Sequence, residues 1–106
     1  DEVVVEYVDN VDEIDSIFNN DSVVKLFYQK SYRYAGNTAN WGNTKGLDHF
    51  RDVCVVLNPT TLKAFDASSL DKLNPTTKNK LYVACTRAKG SLYFVPEESL
   101  KKYKAL

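Results

Sequence analysis

Apolar and polar residues along the chain switch repeatedly between the period of a strand and that of a helix. Val3-Val4-Val5-Glu6-Tyr7 is a β-branched run and reads as a strand. Val11, Ile14, Ile17 and Phe18 recur at helical spacing behind a capping Asp9 or Asn10, and Asn19-Asn20-Asp21 ends that short amphipathic helix. Val23 to Tyr28 is a second strand, and the polar and aromatic stretch Ser31 to Asn37 is a loop. Asn40 to Phe50 has two glycines four apart and no clear period, which fits a candidate strand and a glycine turn before a short helix. Asp52 to Leu57 is a continuous apolar strand of the kind buried on both faces of a parallel sheet, stopped by Asn58-Pro59. Residues 60–73 carry Leu62, Phe65, Leu70 and Leu73 and fit either a broken helix or a packed loop.

The clearest helix comes next. Asn74 caps it, Pro75 takes its first position, Gly90 follows its end, and Leu81, Ala84, Cys85 and Ala88 form one apolar stripe. Ser91 to Val95 is a strand, and Pro96-Glu97-Glu98 opens a last short helix that ends in Lys101, Lys102 and Lys104, as a helix dipole favours. Strands that alternate with helices argue for an α/β fold of three layers, a mostly parallel sheet with helices on both faces. At 106 residues this is a single domain, 1–106, without internal repeats or a linker.

Charge adds an asymmetry. Residues 1–22 hold eight acids and no Lys or Arg, so the remainder carries all 14 bases against six acids. Such a division marks a polyanion-binding surface, or simply an acidic helix beside ordinary solvated lysines. Cys54 and Cys85 lie in apolar runs, and with one His they make no zinc pattern. Buried free thiols fit a reducing compartment, so a cytoplasmic location is expected. No apolar run approaches the length of a membrane span and no signal peptide opens the chain. The lack of any Met suggests a piece of a longer protein, and such a fragment is expected to be a monomer.

Two segments carry chemistry. In Gly42-Asn43-Thr44-Lys45-Gly46-Leu47-Asp48, backbone N–H groups at a glycine turn beside a Lys make an anion site, or the glycines serve only a tight turn. In Lys80 to Lys89, Lys80, Val83 and Arg87 flank the apolar stripe. Arg87 emerges at the edge of the core, aimed at one place as phosphoryl transfer in trans requires, or it is an ordinary surface arginine. There is no GxxxxGK[ST] phosphate loop and no acid pair for a nucleotide-bound magnesium. Trp41 is the best candidate for stacking on a base, with burial as its other reading.

Together these segments resemble a family. Lys45-Gly46-Leu47-Asp48, Phe50 and Asp52-Val53 before an apolar strand are similar to motif V of UvrD/Rep-type superfamily 1 DNA helicases. Leu81-Tyr82-Val83-Ala84-Cys85-Thr86-Arg87-Ala88 resembles their motif VI. The resemblance covers about residues 40–96, with Asp48 where the family often has Glu and His49 as an extra residue before Phe50. It implies the second RecA-like domain of an ATP-dependent helicase, a half without a phosphate loop. Arg87 would be the arginine finger toward the ATP γ-phosphate, with Lys45, Gly46 and Asp48 beside the nucleotide. Asn43, Thr44 and Trp41 would lie at single-stranded DNA.

ATP and Mg would be bound mainly by an N-terminal RecA-like domain of the same parent chain. The 106-residue chain alone is therefore expected to be inactive. The alternative is a non-catalytic module that keeps the fold and binds nucleic acid or a protein. A third reading is a plain structural α/β domain.

Overall fold

The structure is a computed structural model and describes residues 2–105. Five strands, β1 (Val4–Tyr7), β2 (Val23–Phe27), β3 (Thr38–Asn40), β4 (Asp52–Leu57) and β5 (Ser91–Pro96), form one sheet in the order β1-β5-β4-β2-β3. All its pairings are parallel. Helix α1 (Val11–Phe18) joins β1 to β2, while α2 (Pro59–Asp66) and α3 (Pro75–Thr86) join β4 to β5. Short 3-10 segments occupy Ser31–Arg33, Leu70–Lys72 and Glu97–Tyr103. The expected three-layer α/β architecture is therefore present. No helix among the described residues is long and apolar enough to cross a membrane.

The direction of each crossover decides which face it covers. Parallel crossovers share one hand, so those running opposite ways along the sheet lie on opposite faces. β1 to β2 and β2 to β3 run one way; β3 to β4 and β4 to β5 run the other. The core divides accordingly. Ile14, Ile17 and Phe18 of α1, Tyr34 and Leu100 pack with Val23, Phe27, Cys54 and Val56 on one face. Leu81, Ala84 and Ala88, with Trp41, Leu47 and Phe50, pack on Val24, Leu26, Val53 and Val55 on the other. The loop 41–51 thus lies on the same face as α3. Central β2 and β4 are buried on both sides because both faces are covered.

Local signals explain the element ends. Asn10 Oδ1 accepts the Glu13 N–H and Asn74 Oδ1 accepts the Thr76 N–H, the expected N-caps of α1 and α3. Pro59, expected only to stop β4, also starts α2 at its first helical position. The ambiguous 60–73 stretch therefore resolves into α2 and a 3-10 turn. The segment after β5 is 3-10 rather than α-helical, anchored to α1 by the Lys102–Asp15 ion pair at 2.6 Å and a Tyr103–Asp15 hydrogen bond.

The short helix expected after Gly46 is absent. Only single-turn bonds close there, from the Leu47 N–H to the Thr44 carbonyl and from the Phe50 N–H to the Leu47 carbonyl. Gly46, at φ +87°, makes the expected turn, but only residues 47–51 separate it from β4 and no i to i−4 bond forms among them. The loop consequently has no helix N-terminus to offer an anion.

Lys25 is fully buried in β2. Its ammonium donates to the Asn20 carbonyl at 2.9 Å and lies 5.6 Å from the Phe18 ring centre. Burial lowers its pKa. Burial pushes the Cys54 thiol up to about 12 and the Cys85 thiol up to about 11. Both cysteines are free thiols, held protonated at neutral pH and therefore poor nucleophiles.

Candidate functional site

Helix α3 runs antiparallel to the strands, so its C-terminal end reaches the edge of the sheet where strands begin. Arg87 is the residue just past the helix, and its N–H still donates to the Ala84 carbonyl at 3.2 Å. The next residues are fixed from outside: the Lys89 and Gly90 N–H groups both donate to the Arg51 carbonyl at 2.8 Å. Gly90 is needed here for close approach, since a Cβ would stand 2.7 Å from Asp52 Oδ1, the acceptor of the Ser91 N–H. The direction in which Arg87 leaves the helix is thereby set by backbone.

The loop 41–51 starts where β3 ends and descends beside α3 to the start of β4. Its first residue, Trp41, is 0% exposed. The indole N–H donates to the Leu26 carbonyl at 3.0 Å, and the Trp41 amide donates to the Phe27 carbonyl at 2.7 Å. The ring also packs edge-on against Tyr28. Trp41 is therefore a core anchor, and its expected role in stacking on DNA is corrected: neither ring face reaches solvent.

Four residues from the two singled-out segments meet. The Arg87 Nε–H donates to Thr44 Oγ1 at 3.0 Å, across 43 residues of sequence. Arg87 Nη1 lies 3.6 Å from Asp48 Oδ1, and Lys89 Nζ donates to the Asp48 carbonyl at 2.6 Å. Thr44 is 4% exposed, whereas the Arg87 and Asp48 side chains are 36% and 77% exposed. The buried hydroxyl fixes the guanidinium plane through Nε, and the terminal nitrogens face the rim. A planar guanidinium held at Nε can still present its two Nη groups to an oxyanion as a fork. Its pairing with exposed Asp48 is long and solvated, so an incoming anion displaces it at little cost.

The remaining predicted residues divide by exposure. Asn43 and Lys45 are exposed on the same loop, and Gly46 has open space where a Cβ would stand. Asn43 and Lys45 flank Thr44 in the chain. Thr44, expected at DNA, is buried, and its hydroxyl accepts the Arg87 Nε–H. Lys89 had no assigned part; as the second basic residue after the helix, it clamps the Asp48 main chain. Among the described residues no group of three or more His, Cys, Asp or Glu side chains gathers to hold a metal. The Arg87 guanidinium can bind one side of an anionic group. Comparison with protein-family models, curated proteins and solved structures gives no match to this chain.

Proposed function

We propose that the chain is the second RecA-like domain of an ATP-dependent DNA helicase and supplies Arg87 to an ATP site completed by another domain. The observation that carries this reading is the Arg87 Nε to Thr44 Oγ1 hydrogen bond, which joins the two helicase-like segments into one cluster. Phosphoryl transfer spreads negative charge over the oxygens of the transferred group, and a rigid arginine stabilises that charge at the moment it develops. Thr44 holds the guanidinium plane, Asp48 lies beside Nη1 until a phosphate replaces it, and the exposed Lys45 adds positive charge on the same loop. ATP with Mg, when held by the other domain, supplies the phosphoanhydride bond to be broken. Lys45 and Asn43 are the residues available to single-stranded DNA backbone.

The test uses the chain alone and joined to a domain that carries a phosphate-binding loop. The chain alone is expected to hydrolyse no ATP, and the joined protein to hydrolyse it in a DNA-stimulated manner. Steady ATP turnover by the 106-residue chain would overturn the reading. A second reading, a non-catalytic module that binds nucleic acid or a protein, is favoured by the internal engagement of both Arg87 Nε and Nη1. It requires that the joined protein turn over equally well with Arg87 removed.

A further inference from the structure

The outermost strand β1 is open on one side. All four of its residues are exposed, Val4, Val5 and Tyr7 by 55%, 58% and 41%. In a parallel ladder the groups bonded to one neighbour belong to alternate residues. The Val4 N–H donates to the Gly90 carbonyl and the Val8 N–H to the Phe94 carbonyl, so Val4, Glu6 and Val8 face β5. The N–H and C=O groups of Val5 and Tyr7 therefore point away from the sheet. An outermost strand that presents such groups is a template for one more strand.

Proteins commonly blunt such a strand with proline, lysine or a bulge. β1 has no proline or lysine, and its register with β5 runs unbroken from Val4 to Tyr7. The opposite outer strand, β3, is only three residues long, all half-buried. Side chains give β1 an apolar side. Val5 and Tyr7 stand beside Leu92 and Phe94 on the face that α3 covers, and Tyr7 stacks on Phe65 of α2 with ring centres 5.5 Å apart. They continue that apolar layer to the rim of the sheet, while Val4 and Glu6 stand on the other face.

Charge selects the occupant. Glu2, Glu6 and Asp9 are exposed in and beside β1, and none has an ion-pair partner among the described residues. Burial, with the nearby carboxylates of Asp9, Asp66 and Glu98, raises the Tyr7 pKa, so acids also surround the carboxyl end of the strand. No Lys or Arg occurs in residues 1–22. A second copy of the chain fits this surface poorly. The register that pairs Val5 with Tyr7 of the copy sets Glu6 opposite its own counterpart, and like charges directly opposite destabilise a strand pair. We propose that β1 takes up an extended segment of a partner protein in which apolar residues alternate with Lys or Arg. The main chain of that segment bonds to Val5 and Tyr7, its apolar side chains lie beside theirs, and its basic side chains lie beside Glu6. The surface is separate from the Arg87 cluster and does not depend on the helicase reading.

The experiment is amide hydrogen exchange, read by NMR on the ¹⁵N-labelled chain at constant ionic strength. The probe is a blocked seven-residue peptide of alternating lysine and valine, and its glutamate–valine counterpart is the control. The lysine peptide is expected to slow exchange at the Val5 and Tyr7 amides by about tenfold or more, and the glutamate peptide to leave it unchanged. Val5→Pro removes one outward N–H and leaves the bonds to β5 in place, so it is expected to abolish the slowing at Tyr7. Glu6→Lys, at an exposed position, is expected to transfer the effect to the glutamate peptide, and it serves as the test if the proline variant fails to fold. Exchange unchanged by the lysine peptide, equal slowing by both peptides, or a Glu6→Lys chain that still prefers lysine would overturn the proposal. Slowing at Val5 and Tyr7 that grows with the concentration of the chain alone would assign the strand to a second copy, and would overturn it as well.

Discussion

The two edges of the sheet place a threonine at the centre of each polar cluster, and the two threonines are opposite in state. At the edge where strands begin, Thr44 is buried and paired, and it steers a charged side chain toward solvent. At the edge where strands end, Thr61 is buried and unpaired, beside a cavity without charged lining. The first edge is complete in its own bonds and presents one group outward. The second is incomplete, with two buried oxygens that have no hydrogen-bond partner.

That contrast can be broken or sharpened by substitution. Trp41→Ala acts on both edges, because Trp41 anchors the loop that runs from one to the other. It is expected to cost about 3–5 kcal/mol in chemical denaturation. A cost below about 1 kcal/mol would show that the loop is held without it. Thr44→Val keeps the shape but strands the Arg87 Nε–H, so a loss of about 1 kcal/mol is expected. Unchanged stability would separate Thr44 from Arg87 in solution.

Thr61→Val removes a hydroxyl that has no partner. The change is expected to raise stability by up to about 1 kcal/mol. A loss of that size would mean the hydroxyl is paired in solution. The two threonine variants thus carry opposite signs. Asp48→Asn should change stability by less than about 1 kcal/mol, since the ion pair is long and exposed. A larger effect would make Asp48 part of the fold rather than a replaceable partner of Arg87.

How much of this is legible in the sequence differs between the edges. The β4 run from Asp52 to Leu57 and the Asn74-Pro75 start of α3 are plain, because continuous apolarity and an N-cap followed by proline each have a local cause. The Arg87 segment is legible because arginine is rare in this chain and sits at a fixed offset from an apolar stripe. Its partner is not, since Thr44 meets Arg87 only through the crossover geometry.

β3, three residues with no apolar pattern, is specified by pairing with β2 rather than by its own composition. The helix expected after Gly46 does not form: residues 47–51 close only single turns before β4 begins. Trp41 is amphipathic, and the Leu26 carbonyl together with the surrounding core places it inside. The cavity at the edge where strands end leaves no trace in the sequence. Asn58, Thr60, Thr61, Asn74 and Thr77 are ordinary turn and cap residues until two helices bring them together.

The central claim is that Arg87 acts on a phosphate held by another domain. Its most direct test is ATP turnover by the joined two-domain protein carrying Arg87→Ala, measured beside nucleotide affinity. Turnover is expected to fall about a thousandfold, the scale of a lost arginine finger, while nucleotide affinity changes much less. Turnover equal to that of the unsubstituted protein would contradict the claim and leave Arg87 as a residue that only holds the loop 41–51 against α3.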